Sequence, residues 1–195
     1  MASFYRGAGI GTFWHKNDAR TCGFTAQSPG NARSLATLIN HIKDGTTNSP
    51  YVSLTRSYSV AWTYAVYCGC EVPGDANPAY VYEVEITRPP PKGLTIIDPA
   101  CEILVKSGAG DPLTGLPYQH NGFPDFLAGV IDPRSMRDHL LKTIGQPPPG
   151  GGTPRAALLT NELETIVRAL RDAELLAIGT LPSSCVINRY PVYRL

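Results

Sequence analysis

The chain is short of charge and of long apolar runs, and each shortage excludes a class of partner. Only 17% of its 195 residues are charged and the formal net charge is +1, so there is no electrostatic basis for binding nucleic acid or an anionic membrane. No apolar run approaches the roughly 18 residues of a membrane span, and the N-terminal MASFYRGAGIG does not read as a signal peptide. Hydrophobic residues make up 43%, which predicts one globular domain over 1–195.

The cysteines and histidines lack the spacings that form disulfides or bind metals. The five cysteines include no CxxC pair, and the single residue between Cys68 and Cys70 suits neither a disulfide nor a complete zinc site. An odd number argues against a full disulfide framework and predicts reduced, mostly structural thiols, in a chain that works in a reducing compartment or is delivered into one. The four histidines are not at metal-ligand spacing, so no metal site is expected.

A glycine-rich segment near the N-terminus has part of a dinucleotide-binding fingerprint. In GAGIGT (7–12) the third glycine position is Thr12, and no acidic residue follows about 20 positions later within a strand–helix–strand unit. The chain also has no P-loop, HExxH or GxSxG motif. A Rossmann domain is therefore not predicted.

The patterns that are present predict an α+β fold. Strands are predicted at 3–8, 50–55, 79–86, 94–98, 101–106 and 185–195. Helices are predicted at 31–44, at 58–67, and after a Pro/Gly linker at 145–154, the last from the spacing of Leu159, Leu163, Ile166 and Leu170 with Thr153 as its cap. The linker and the 155–195 helix and strand form a C-terminal extension of the same domain.

One predicted strand carries two hydroxyls on the same face. In PYVSLT, Tyr51, Ser53 and Thr55 point one way and Val52 and Leu54 the other. Such a polar face needs a polar partner from elsewhere in the chain. Other polar candidates are Arg6 in the first strand, His41 near the end of the 31–44 helix, and Asp125 in PDFLAGVIDP.

In this order the residues resemble the cholera- and pertussis-toxin branch of the mono-ADP-ribosyltransferases. That family has an arginine in a YR strand, a histidine in an L-x-x-H-x-x-G helix end, a serine in a Y/F-V-S-T-S strand, a Y-I-Y-E-V strand and a catalytic glutamate. The matches are Arg6, His41, Ser53, the strand AYVYEVEI (79–86) and Asp125, the last in place of the glutamate. The resemblance covers residues 4–134 and implies a split β-sandwich with peripheral helices around an NAD cleft.

The resemblance implies roles for the matched residues. Arg6, Gly7, Ser53 and Thr55 would bind NAD, with the planar guanidinium of Arg6 on a phosphate or ribose. Ser53 would hydrogen-bond the catalytic carboxylate and fix its rotamer, which would be the purpose of the polar face of this strand. His41 would orient the nicotinamide ribose. Aromatic side chains would stack on the nicotinamide, with Phe13, Trp14 and Tyr58 as the candidates.

The carboxylate is the largest departure from the family. Aspartate is one methylene shorter than glutamate, and a misplacement of about 1 Å can cost roughly 100-fold in rate. Either the site is rebuilt around Asp125, with Gln119 or Asn121 assisting, or catalysis is weak or lost. Glu102 is a second carboxylate, for which a structural role is favoured.

The function implied by the resemblance is transfer of ADP-ribose from NAD to a side chain of a target protein. The setting implied is that of a bacterial effector or toxin, secreted or injected, that acts in the cytoplasm of a target cell. Alternatives are an NAD glycohydrolase and a non-catalytic protein that binds NAD or a partner. Without the usual Q/E-x-E pair around Asp125, nothing favours arginine as the acceptor. Other acceptors, including threonine and host proteins such as ubiquitin, stay open.

Overall fold

The computed structural model describes residues 2–106, 119–120, 123–124 and 160–194. The strands are β1 (Ala2–Ala8), β2 (Tyr51–Thr55), β3 (Ala79–Ile86), β4 (Thr95–Ile97), β5 (Gln119–His120), β6 (Phe123–Pro124), β7 (Glu174–Ile178) and β8 (Val186–Val192). The helices are α1 (Phe13–Lys16), α2 (Ala19–Cys22), α3 (Leu35–Asp44), α4 (Tyr58–Tyr67), α5 (Pro99–Lys106) and α6 (Thr160–Arg171).

Six of the strands form one open sheet in the order β4-β7-β2-β1-β3-β8. Every pairing in it is antiparallel, which confirms the α+β class and the absence of a Rossmann unit from the part of the chain that is described. The strands β5 and β6 pair separately as a short hairpin. The two C-terminal strands belong to the sheet, since β7 lies between β4 and β2, and β8 pairs with β3.

Both faces of the sheet are covered. On one face, apolar side chains of β1, β2, β3 and β7 pack with the segment that holds α1 and α2, around Phe24 and Trp14. On the other face, α3, α5 and α6 pack through Leu38, Ile103 and Ile166 over β2 and β7. The helix α4 covers β1, β3 and β8, so different helices cover the sheet on the two sides of the junction of β1 and β2.

Local sequence signals set most of these elements. The helix α3 begins after Ser34, whose hydroxyl accepts from the backbone N–H of Thr37, and it ends at Gly45, whose φ is 91°. Ser57 caps α4 in the same way. The predicted strands at the positions of β1, β2, β3, β4 and β8 and the helices at α3 and α4 are confirmed.

The prediction of a strand at 101–106 is wrong, because these residues lie in helix α5. The carboxylate of Asp98 accepts from the backbone N–H groups of Ala100 and Cys101 and caps the helix. Pro99 suits the first turn, and Glu102 pairs with Lys106 one turn later at 3.6 Å. Capping and packing of Ile103 against the helical layer override the β-branched and apolar character of the segment.

The C-terminal helix is confirmed as α6, but its predicted buried face is partly wrong. Ile166 is buried as expected, whereas Leu163 is 42% exposed. The buried positions are instead Glu162, Thr165, Ile166 and Ala169. Leu159, the proposed cap Thr153 and the 145–154 linker lie outside the described residues.

The sheet is weakest between β1 and β2, and this weakness creates a cleft. Only one residue pair joins the two strands, Tyr5 with Thr55, whereas β1 and β3 pair along their whole length. Gly7 lets β1 approach α4, because a Cβ there would fall on the carbonyl oxygen of Ala61 and within 2.8 Å of the Ala65 nitrogen. The gap between β1 and β2 therefore opens below α4 and the end of α3.

Candidate functional site

The cleft above the junction of β1 and β2 brings together polar residues from four parts of the chain. Its cavity volume is about 360 Å³, which lies within the range of small-molecule sites. Its polar side chains include Arg6 from β1, His41 from α3, Ser53 and Thr55 from β2, and Asp172 and Glu174 from the start of β7. Three of the sequence-predicted residues, Arg6, His41 and Ser53, are therefore neighbours, as the resemblance implies.

Arg6 crosses the gap between the two strands. Its Nη1 donates to the backbone carbonyl of Ser53 at 2.6 Å, which replaces a ladder bond where β1 and β2 separate. Its Nε is shielded from solvent and has no hydrogen-bond partner in the described part of the chain. Burial lowers the pKa of Arg6 to about 10, against an opposing effect of Glu174, so the guanidinium stays charged at neutral pH with a donor to spare.

Ser53 and His41 are linked by their side chains. His41 Nε2 lies 2.8 Å from Ser53 Oγ, and its Nδ1 lies 2.6 Å from Ser49 Oγ. Burial, and after it the charge of Arg6, lower the pKa of His41 to about 3, so the imidazole is neutral. Both ring nitrogens are therefore engaged by serines, which differs from the ribose contact that the resemblance implies.

Glu174 is the carboxylate beside Ser53, and the sequence reasoning missed it. It pairs with Thr55 across the sheet, and Ser53 is the diagonal neighbour on the same face. Its side chain is only 12% exposed. Its Oε1 is 3.8 Å from His41 Nε2, too far for a hydrogen bond, and the neutral imidazole makes this contact no ion pair.

The environment of Glu174 disfavours its charge. Burial raises the pKa of Glu174 to about 7, and the charge of Asp172 adds to the effect. The Ser53 hydroxyl acts first against this rise, by a hydrogen-bonding interaction with the carboxylate, followed by the charges of Arg6 and Arg171. A perturbed acid in a cleft, with a desolvation cause and identified charge partners, is a candidate functional residue.

Asp172, two residues before Glu174, is already paired at the rim of the cleft. Tyr64 donates to its Oδ2 at 2.7 Å, and Arg171 binds the same carboxylate through Nε and Nη2 at 2.7 and 2.8 Å. Burial, and after it the bond to Asp172, raise the pKa of Tyr64. Thr55 holds the backbone here, since its hydroxyl donates to the Asp172 carbonyl at 2.6 Å.

The two other predicted NAD contacts, Gly7 and Thr55, line the cleft, but each has a visible structural task. Gly7 serves the approach of β1 to α4, and Thr55 anchors the start of β7 and also accepts from the backbone N–H of Ser57. Ser53 and Thr55 do share one face, as the alternation of the strand predicted.

The predicted aromatic residues are not part of the cleft. Trp14 packs edge-on against Phe24, Tyr58 packs against Tyr5 and Tyr190, and Phe13 is 64% exposed on α1. The aromatic residues that line the cleft are Tyr5 and Tyr64.

The predicted catalytic residue Asp125 and the assisting Asn121 lie outside the described residues. Gln119 lies in β5, in the hairpin that pairs apart from the main sheet. Glu102 lies on α5 in an ion pair with Lys106 and does not line the cleft.

No family model matches the chain, and no curated protein matches it. Among the residues that the structure describes, no group of three or more histidine, cysteine or acidic side chains is arranged to hold a metal ion. Within the same residues, no helix is both long enough and apolar enough to cross a membrane.

The buried charge of Glu174 predicts a pH-dependent cost in stability. Between pH 4.5 and about 7 the folded state binds more protons at Glu174 than the unfolded state does, so the free energy of unfolding falls as pH rises through this window. Glu174→Gln, which mimics the neutral acid, should raise stability by about 3 kcal/mol at pH 8, or about 5 to 10 °C in Tm, and by much less at pH 4.5.

Thermal unfolding of both proteins at the two pH values measures this difference. Glu102→Gln is the matched control, because it removes only a partly exposed ion pair, and it should change stability by less than about 1 kcal/mol at either pH. An equal effect of Glu174→Gln at pH 4.5 and pH 8 would contradict the assignment.

Proposed function

We propose that the protein is a mono-ADP-ribosyltransferase that binds NAD in the cleft between β1 and β2 and transfers ADP-ribose to a side chain of a target protein. The observation that carries the proposal is one arrangement: a desolvated carboxylate, Glu174, beside the hydroxyl of Ser53 and near the buried guanidinium of Arg6. The ADP-ribosyltransferase-like split β-sandwich is part of the same proposal, and the single residue pair between β1 and β2 supports it.

The residues of the cleft suit the parts of NAD. Arg6 offers a cation and an unpaired Nε donor to a phosphate or a ribose hydroxyl. Glu174 offers a carboxylate to the ribose that becomes positive when nicotinamide leaves, and Tyr5 and Tyr64 offer aromatic surface. The cleft therefore offers a cation for the anionic pyrophosphate of NAD and a carboxylate for the ribose that bears the cationic nicotinamide.

The chemistry requires that positive charge be stabilised at the ribose. The bond between the nicotinamide nitrogen and the ribose C1′ breaks, and its electron pair leaves with nicotinamide. C1′ then bonds to the acceptor atom, which gives up its proton. Ionised Glu174 stabilises the oxocarbenium-like ribose in the transition state, and with a pKa near 7 it is also suited to accept the acceptor's proton.

Under this proposal Glu174 takes the catalytic role that the sequence suggested for Asp125. Asp172-Ala173-Glu174 also supplies two acidic residues at the spacing of the family's Q/E-x-E pair, which is lacking around Asp125. Since Asp172 is shorter than glutamate and already binds Arg171 and Tyr64, the pair does not assign the acceptor. Threonine, arginine and other side chains are candidate acceptors, and ubiquitin is a candidate target protein. Secretion and injection into a host cell are candidate delivery routes.

Incubation with NAD labelled in its adenylate half, with and without a eukaryotic cell lysate, tests the proposal. Label on a lysate protein is the expected result. Free ADP-ribose in place of labelled protein would indicate the glycohydrolase, with water as acceptor. Neither product, together with NAD binding measured by calorimetry, would indicate a protein that binds NAD without turnover, and neither product without binding would overturn the NAD site itself.

A further inference from the structure

The imidazole of His41 is held at both ring nitrogens by serine hydroxyls, and this constrains its tautomer. Nδ1 is 2.6 Å from Ser49 Oγ and Nε2 is 2.8 Å from Ser53 Oγ. A neutral imidazole has one N–H donor and one acceptor nitrogen. The two serines must therefore play opposite roles: one donates to the ring and the other accepts from it.

The surroundings of Ser49 decide which role it takes. Ser49 is buried, and its Oγ already accepts from the backbone N–H of Tyr51 at 3.1 Å. In the described part of the chain, His41 Nδ1 is the one acceptor that this hydroxyl contacts. Donation to Nδ1 satisfies the hydroxyl proton, whereas a protonated Nδ1 would leave it without a protein partner. The arrangement therefore favours the tautomer with the proton on Nε2.

The Nε2–H tautomer of His41 also fixes the orientation of the Ser53 hydroxyl. His41 Nε2–H donates to Ser53 Oγ, so the proton of Ser53 is left for the carboxylate of Glu174, its diagonal neighbour on the same face of the sheet. Each donor now points the same way, from Tyr51 N–H through Ser49, His41 and Ser53 to Glu174. Aligned hydrogen bonds polarise one another, and this direction of alignment favours the ionised carboxylate.

We propose that Ser49 is a positioning residue of this site, which fixes the Nε2–H tautomer of His41 and thereby turns the Ser53 hydroxyl towards Glu174. The catalytic consequence rests on the proposed function, whereas the tautomer and the orientation do not. Ser49 lies behind His41, on the side of a separate polar crevice lined by Asn40 and Asp44 among others, and it does not line the NAD cleft.

Other charged and titratable groups face this network but are not hydrogen-bonded to His41 within the described residues. Arg6 faces it from β1, Tyr64 from α4, and Arg171 and Asp172 from the end of α6 and the turn into β7. Asp44 lines the crevice on the Ser49 side. Substitution of Ser49 alters none of these groups chemically, so we assign a change in the tautomer to the loss of the Ser49 hydroxyl.

Nitrogen NMR of histidine-labelled protein at pH 8 tests the tautomer directly. We expect Nε2–H in the wild type, a shift to a mixture or to Nδ1–H in Ser49→Ala, and restoration in Ser49→Thr, which keeps the hydroxyl. Thr47→Ala is the matched control, because Thr47 is an exposed hydroxyl that lines the same crevice, and it should leave the spectrum unchanged. Nδ1–H in the wild type, or unchanged Nε2–H in Ser49→Ala, would overturn the proposal.

The pH profile of NAD cleavage tests the consequence for Glu174. We expect Ser49→Ala to lower kcat/KM about 3- to 10-fold near pH 7. The rising limb of its pH profile should lie at higher pH than that of the wild type. At pH values where Glu174 is ionised in both proteins, the two kcat/KM values should approach each other. A residue that only supports the fold would lower kcat/KM equally at all pH values, and that result would count against positioning.

Two provisions keep the test decisive. If Ser49→Ala does not fold, Ser49→Cys takes its place, because it keeps the size of the side chain and replaces the hydroxyl by a weak donor. If the wild type cleaves no NAD, the proposed function fails while the tautomer measurement still decides the role of Ser49.

Discussion

Glu174→Gln is expected to lower the turnover of NAD by about 100- to 1000-fold while changing NAD affinity only a few fold. The amide keeps the size of the side chain but cannot stabilise the positive charge that develops on the ribose. In bound NAD the ribose does not yet carry this charge. The substitution therefore destabilises the transition state and lowers kcat, and it leaves the binding of NAD nearly unchanged. Release of nicotinamide at saturating NAD and calorimetric binding measure the two quantities separately.

Two further amide variants make this result specific. Asp125→Asn tests the carboxylate that the resemblance selected, and Glu102→Gln tests one on a distant helix. We expect activity close to wild type in Glu102→Gln, and in Asp125→Asn as well if Glu174 is the catalytic carboxylate. Full activity in Glu174→Gln together with an inactive Asp125→Asn would place the chemistry at Asp125 instead.

Much of the fold follows from local signals, because these elements are set by residues close in sequence. The alternation in β2 and β3 predicted those two strands, and the caps of α3 and α4 seen in the structure likewise depend on neighbours within a few positions. The family resemblance, in contrast, placed Arg6, His41 and Ser53 in one site, and the structure places all three residues around the same cleft. The sequence prediction failed at α5, where capping by Asp98 and packing of Ile103 outweigh strand propensity.

The strand β7 and its Glu174 were beyond such reasoning. ELLAI is buried on both faces, with Leu175 and Ala177 in one cluster and Leu176 and Ile178 in the other, so it has none of the alternation that marks a half-buried strand. Glu174 lies opposite Thr55 because β2 pairs with β7, and these two strands are far apart in the chain. The hydrogen bond from Thr55 to the Asp172 carbonyl, for example, spans 117 positions. A search for acid-x-acid spacing before a short apolar run is the one signal that could have found 172–174.

The registers of β2 and β7 also explain why the site tolerates a buried acid. The pairing of Thr55 with Glu174 places the carboxylate diagonally across from Ser53, and the splitting of β1 from β2 lets Arg6 enter the same space. Neither contact neutralises the charge fully, since the pKa of Glu174 remains near 7. The fold therefore keeps a carboxylate that is less stable than a neutral side chain would be, which is expected where binding or catalysis requires it.

Arg6→Ala is expected to raise the dissociation constant for NAD by about 100-fold or more. The guanidinium is the cation that faces the cleft from β1. Its buried Nε has no hydrogen-bond partner among the residues that the structure describes, and a phosphate or ribose oxygen can satisfy it. Arg6→Lys should recover only part of the affinity, because an ammonium cannot present the planar pair of donors. Calorimetry with NAD, on variants whose folding is checked by thermal unfolding, measures the effect.

The bond from Arg6 to the Ser53 carbonyl makes a control for structure necessary. Losing it removes a link between β1 and β2, which costs on the order of 1 kcal/mol of stability, and the protein should remain folded because β1 stays paired with β3. Arg20→Ala is the matched variant. Arg20 lies on α2, pairs with Asp18 and does not line the cleft, so its removal should leave NAD affinity unchanged. Equal affinities of folded Arg6→Ala and the wild type would remove Arg6 from the site, and the electrostatic case for NAD in this cleft depends on it.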